Sequence, residues 1–254
     1  MRALKLAALL GVLASLTAIA PAMAAEEEMM PTQKWSFSGP FGTFDRASAQ
    51  RGFLVYKNVC ANCHSLKQGA YRNLTGIGLS EEDIKAIAAS VTVPTINDEG
   101  QPAERPATPA DHFRSPYPND KAARAALNGA LPPDLSVITK AREGGADYVY
   151  ALLTGYGDAP AGMKMGDGMY YNKMYAGHQI AMPRPLQDDA VDYADGTKPT
   201  TEQEARDVVT FLEFIGNPEM EQRKRTGVKI VLFLVLMTGV TYAVKRQVWS
   251  NIPH

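Results

Sequence analysis

The chain is 254 residues long, 45% hydrophobic and 21% charged, with a formal net charge of −1. That length holds one large domain or two small ones with a buried core, and so even a charge balance singles out no class of partner. Two cysteines in all leave no second cysteine pair to complete a four-ligand zinc site.

In chain order, residues 1–24 read as a secretory signal peptide. Arg2 and Lys5 form a charged start, LAALLGVLASLTAIA is the apolar stretch, and Ala22 and Ala24 occupy the small-residue positions of a cleavage site, placing the mature start near Ala25. An exported domain then covers 25–226. All 27 Asp and Glu fall within residues 26–226 together with 21 of the 26 Lys and Arg, a net charge of −6. Such a domain repels nucleic acid and attracts a basic protein partner.

Helical signals dominate it, and alternating β-branched runs are missing. Asp45 caps a helix through RASAQRGFLVYKNVC, with Phe53, Tyr56 and Val59 on one side. Ser80 with Asp83 starts a second over IKAIAASV. Asn119 or Asp120 caps KAARAAL, stopped by Gly129 and the Pro132–Pro133 pair; ADYVYALLTG is a short helix ended by Gly155. Thr201 with Glu204 forms a capping box for ARDVVTFLEFI, closed by Gly216 and Pro218. Between these lie two irregular segments, Val93–Pro118 with six prolines and Gly155–Leu186 rich in Gly, Met and Tyr. Loops this long carry function or wrap something, so the expected fold is all-α with long loop insertions around a central cofactor.

Residues 227–244 form a membrane anchor, whose apolar run VKIVLFLVLMTGVTYAV spans about 25 Å as a helix. Arg223, Lys224 and Arg225 precede it, Lys245 and Arg246 follow, and Tyr242 and Trp249 suit the membrane interface. Counting Lys and Arg slightly favours a cytoplasmic N-terminal flank, but long domains translocate regardless of charge. The signal peptide therefore decides the orientation: domain exported, tail 245–254 in the cytoplasm.

The chemistry starts at VCANCHSL. Cys60 and Cys63, followed directly by His64, form the C-x-x-C-H pattern of covalent haem attachment. Residues three apart on a helical turn present both thiols to one porphyrin edge, and the adjacent imidazole turns under the iron as axial ligand. A thioredoxin-like dithiol expects a βαβ setting that is absent here. One motif implies one haem.

The sixth ligand separates an electron carrier from a site that activates small molecules. Candidates from the residues are His112 and His178, since His254 falls beyond the anchor, and Met163, Met165, Met169, Met174 and Met182. Met182 differs in context, because Pro183 and Pro185 stiffen a non-helical loop around its thioether. The competing reading is a haem enzyme or sensor with an open sixth position, for which the chain shows no distal base and no second haem motif.

RGFLVYKNVCANCHSL, AYRNL, the run from PYPND through NGALPPDLS, GGADYVYALLTGYG, GHQIAMPRPL and the closing basic-flanked anchor together resemble the cytochrome c1 family, in order from about Arg51 to Trp249. Those proteins are the membrane-anchored c-type subunits of ubiquinol–cytochrome c reductase, the cytochrome bc1 complex. The resemblance implies a class I cytochrome c-like domain with one C-terminal transmembrane helix. It also implies one covalently bound haem c on Cys60 and Cys63, with His64 and Met182 as axial iron ligands and Arg142 and Tyr148 as propionate partners. The Pro132–Pro133 turn would line the pocket. The implied role is to take an electron from the Rieske iron–sulfur protein and pass it to a basic cytochrome c. The implied setting is a dimeric complex with cytochrome b at the bacterial inner membrane, haem domain periplasmic, with no quinol site in this chain. Some family members staple the loop before the axial methionine with a disulfide; this chain has no cysteine for one. Asp188, Asp189, Asp192 and Asp195 form an acidic strip that reads equally as a solvated face or as a steering surface for a basic cytochrome.

Overall fold

The computed structural model describes residues 30–251, so the expected signal segment 1–24 and His254 lie outside the described residues. The helices follow the local signals closely. Helix α1 (Arg46–Asn58) is capped by Asp45, whose carboxylate accepts the Ser48 amide at 3.1 Å. Helix α2 (Glu81–Ala89) is capped by Ser80 and α3 (Asp120–Ala126) by Asn119. Gly129, at φ +88°, closes α3 by donating to the Arg124 carbonyl, a left-handed position that glycine takes without strain. Helix α4 (Gly145–Thr154) ends at Gly155 as expected.

Helix α5 (Thr201–Gly216) corrects one expectation. Its cap is Thr200, which accepts the Gln203 amide, and not Thr201. The Thr201 hydroxyl is already committed to Asp188 at 2.8 Å, and Glu204 faces inward to accept the Val191 amide at 3.1 Å instead of closing a capping box. The Val93–Pro118 segment also departs from the irregular reading. It begins with a hairpin, β1 (Thr92–Ile96) antiparallel to β2 (Pro102–Pro106), in register Thr92 with Pro106 through Ile96 with Pro102. A two-stranded ribbon is all edge, so its prolines sit where no further ladder bond is required. A second pair, β3 (Tyr170–Tyr171) with β4 (Gln179–Ile180), lies inside the other long loop. The fold is otherwise helical.

The core forms where α1 crosses α5. Ala49, Phe53, Val55 and Tyr56 pack on Val208, Val209, Phe211 and Leu212, with the Phe53 and Phe211 rings 5.6 Å apart. Gly52 allows the approach, since a Cβ there would collide with the Asp207 backbone and lie 2.9 Å from the Phe211 Cβ. Beside it sits a buried charge cluster. The Asp207 carboxylate, fully buried, accepts Ser48 Oγ at 2.6 Å, Arg51 Nε at 2.8 Å and Gln203 Nε2 at 3.0 Å. Arg51 also reaches Asp195 at 2.6 Å, tying the loop after Leu186 to α1. A desolvated carboxylate is tolerable only with partners of this number and quality.

Helix α6 runs unbroken over Met220–Trp249. Its first turns belong to the domain: Met220 is buried, Glu221 accepts the Phe44 amide and pairs with Arg46 at 2.8 Å, and Lys224 Nζ donates to the Phe37 carbonyl at 2.6 Å. Beyond that the apolar residues are exposed, and the helix is long and apolar enough to cross a membrane. On one rod, Arg225 and Lys245 lie about 30 Å apart, the thickness of a hydrocarbon core.

Candidate haem site

Helix α1 delivers the cysteine motif. After Asn58 the chain tightens into a single 3-10 turn, Cys60–Asn62, and the Cys60 carbonyl accepts both the Cys63 amide at 3.1 Å and the His64 amide at 2.9 Å. At three residues per turn, positions i and i+3 eclipse, which aligns Cys60 with Cys63 more closely than an α-helical turn does. Both thiols are free and half-buried. Burial, with the neighbouring Cys63 adding to it, pushes the Cys60 thiol up to about 12. It is therefore protonated at neutral pH, the opposite of the lowered thiol of a redox dithiol.

His64 is the most constrained member. Its Nδ1 lies 2.8 Å from the Pro133 carbonyl oxygen, which can only accept. Nδ1 therefore carries the proton, and Nε2 keeps a lone pair for a metal. Burial holds the ring below the ordinary histidine range, against the Pro133 bond and the Asp134 charge, so the imidazole is neutral. The Pro133 segment is itself zipped to the residues after His64. Asp134 accepts Ser65 Oγ at 2.7 Å and the Lys67 amide at 2.9 Å, Leu135 donates to the Ser65 carbonyl, and Gln68 donates to Ser136 Oγ. Although burial opposes it, bonds from Ser136, Lys67 and Ser65 hold the Asp134 carboxyl below the usual carboxylate range. From the sequence the Pro132–Pro133 turn is expected in the pocket wall, with no role for Asp134 or for the Pro133 carbonyl as partner of His64; both lie in the LPPDLS motif.

Met182 is half-buried in a non-helical stretch between β4 and the fully buried Leu186. Its carbonyl accepts the Tyr156 hydroxyl at 3.0 Å. The rival candidates are placed differently. His112 is exposed, with Nδ1 3.2 Å from the Gly69 carbonyl, and His178 is exposed, with φ +58° and its ring 6.0 Å from that of Tyr171. Arg142 is exposed and donates to the Ala141 carbonyl at 3.0 Å. Tyr148, half-buried in the first turns of α4, has its hydroxyl pushed up by burial, with the nearby Arg142 charge opposing. The structure thus holds Cys60, Cys63 and His64 in one tight segment, and Arg142 is near enough for its charge to act on the Tyr148 phenol. Among the described residues no hydrogen bond joins the His64 and Met182 arms.

A hollow of about 430 Å³ beside the motif is lined by Tyr56, Ala61, Asn62, Tyr71, Phe113 and Arg114, among others, and by none of Cys60, Cys63, His64 or Met182. Ala61 and Asn62, the two residues between the cysteines, form part of its wall. Among the described residues no group of three or more His, Cys, Asp and Glu side chains gathers as a metal site. Two free thiols on one eclipsed turn and a neutral imidazole with a free Nε2 fit a haem bound through both its edge and its iron.

The Cytochrome C1 family model matches residues 35–252. The chain belongs to the cytochrome c1 family. It is 44% identical over 239 residues to cytochrome c1 of Rhodospirillum rubrum, covering 87% of this chain and 88% of that one. It is 47% identical over 237 residues to the cytochrome b-c1 complex catalytic subunit of Candida albicans mitochondria, covering 92% and 82%. It is also 46% identical over 244 residues to cytochrome b/c1 of Bradyrhizobium diazoefficiens, where the match takes 87% of this chain but only 36% of that longer protein. Membership of this family makes it a haem protein, with a helical domain and a C-terminal apolar helix.

Proposed function

We propose that this chain is the electron-carrying subunit of a ubiquinol–cytochrome c reductase, with a single haem c attached through Cys60 and Cys63 and ligated by His64 and Met182. The observation that carries the reading is the 2.8 Å bond from His64 Nδ1 to Pro133, which fixes the tautomer and aims a neutral Nε2 away from the backbone. When bound, the haem supplies a one-electron couple, and His/Met ligation sets its potential high. The two thiols hold the group in place, the imidazole stays unprotonated, and Arg142 with Tyr148 offers a guanidinium and a phenol to its carboxylates.

The chain takes one electron from the Rieske iron–sulfur protein, which is oxidised, and hands it to a basic cytochrome c, which is reduced. The surface supports the second half of that sequence: Asp195 is paired with the Arg51 cation, but Asp188, bonded only to the neutral Thr201, keeps its charge and stays exposed for steering with Asp189 and Asp192. The names of the Candida and Bradyrhizobium relatives, a cytochrome b-c1 complex subunit and a cytochrome b/c1, support assembly in a complex with cytochrome b, which on this reading is dimeric. On this reading residues 1–24 are a signal segment, the domain 25–226 carries the haem on the periplasmic side of a bacterial inner membrane, 227–244 anchors it and 245–254 is its cytoplasmic tail.

The test uses protein purified from membranes in mild detergent. A low-spin spectrum, a weak far-red thioether-to-iron band when ferric and no carbon monoxide binding when ferrous support the assignment, together with co-purifying b-type cytochrome and iron–sulfur subunits. Met182→Leu should keep the covalent haem, lose the far-red band and lower the potential sharply. An unchanged potential refutes Met182 and points to His178.

A further inference from the structure

This chain must hold the Met182 loop without a disulfide, and the side chains that surround the loop show how. Tyr156 follows the end of α4, and its hydroxyl donates to the Met182 carbonyl across 26 residues of sequence. Tyr156 is held in turn by a backbone bridge to Asn172.

Asn172 is fully buried and bonds through both ends of its side-chain amide. Nδ2 donates to the Leu152 carbonyl of α4 at 2.7 Å, Oδ1 accepts the Met174 amide at 3.0 Å, and its backbone amide donates to the His178 carbonyl at 3.1 Å. That last bond closes the turn between β3 and β4, and β4 runs directly into Ala181 and Met182. Gly155 permits the approach, since a Cβ there would stand 3.0 Å from Asn172 Oδ1 and 2.6 Å from the Ala151 carbonyl. On the far side the loop is pinned by Leu186, which is fully buried and whose carbonyl accepts Arg184 Nε at 3.1 Å.

We infer that Tyr156, seated on Asn172, is a positioning residue that braces the Met182 backbone against α4 and does noncovalently what a disulfide does in a cross-linked loop. The inference rests on Met182 being the iron ligand. The bond is made to the backbone of the ligand residue itself, so its loss lets the loop move while leaving the thioether chemistry untouched. A buried neutral hydrogen bond is worth enough to change the population of a detached loop by about fivefold to tenfold.

The experiment compares Tyr156→Phe and Met182→Leu in the full-length protein purified from membranes. Tyr156→Phe keeps the ring and its packing. Its ferric far-red band should fade at lower temperature than in the parent, and its ferrous form should bind carbon monoxide about fivefold to tenfold faster. A band and a carbon monoxide rate equal to the parent's overturn the brace. So does loss of covalent haem, which would give Tyr156 a general folding role. The two readings fail separately: if Met182→Leu keeps the band, the ligand assignment is wrong, whereas if it abolishes the band and Tyr156→Phe changes nothing, only the brace is.

Discussion

Replacing Gly52 by Ala sets two effects of opposite sign against each other. Alanine in a helix interior is favoured over glycine by about 1 kcal/mol. At this position the added methyl collides with the Asp207 backbone of α5 and crowds the Phe211 Cβ at 2.9 Å. Neither is the end of a flexible side chain, so α1 and α5 must separate, at an overpacking cost of about 1–3 kcal/mol. Separation also stretches the bonds from Ser48 and Arg51 to the buried Asp207 carboxylate. Breaking a buried pair outright costs about 3–5 kcal/mol, of which part is forfeited here. The net loss is about 3 kcal/mol, and at roughly 2–4 °C per kcal/mol for a domain of this size the melting temperature falls by about 6–12 °C. Thermal scans of the detergent-solubilised protein at one fixed scan rate, followed at the haem absorption, measure it. An unchanged or raised melting temperature would refute the close approach of α1 and α5.

Glu204 gives a pH signature. Burial first, with Asp188 and Asp189 adding, raises its carboxyl from 4.5 to about 7, against the Val191 amide bond that favours the charged form. Between those values the folded state keeps a proton that the unfolded state has lost, so stability falls as pH rises, by about 3 kcal/mol in all. Glu204→Gln should flatten the melting temperature between pH 5 and 8, and a slope as steep as the parent's counts against it. Truncation after Thr226 should release a soluble haem domain with its spectrum intact. Truncation after Asn217 removes Met220, Glu221 and Lys224 as well, and should melt about 5–10 °C lower; equal melting of the two fragments would show that the first turns of α6 do not belong to the domain.

The amino-acid sequence by itself determined whatever is settled within about four residues. Asp45, Ser80 and Asn119 cap the helices they precede because a cap needs only its own side chain and the next turn. The cysteine spacing and the apolar run of α6 are equally local, as is the stiffness that Pro183 and Pro185 impose around Met182. Where a distant partner intervenes, local reading fails. Thr201 looked like a cap, but Asp188 claims its hydroxyl and the cap moves to Thr200. The proline-rich segment looked structureless, yet β1 and β2 pair because a lone ribbon has edges to spare for proline. The acidic strip read as four equivalent charges, but Arg51 reaches from α1 to pair with Asp195 alone.

The site divides the same way. The haem-attachment pattern was legible in VCANCHSL, whereas for the sixth ligand the residues alone only set Met182 apart from other candidates by its flanking prolines. Which nitrogen of His64 is free was decided by a carbonyl 69 residues away, and what steadies Met182 by a tyrosine 26 residues before it. A hydrogen bond between remote segments exists only once packing has brought its two ends within 3 Å, and no spacing along the chain encodes that.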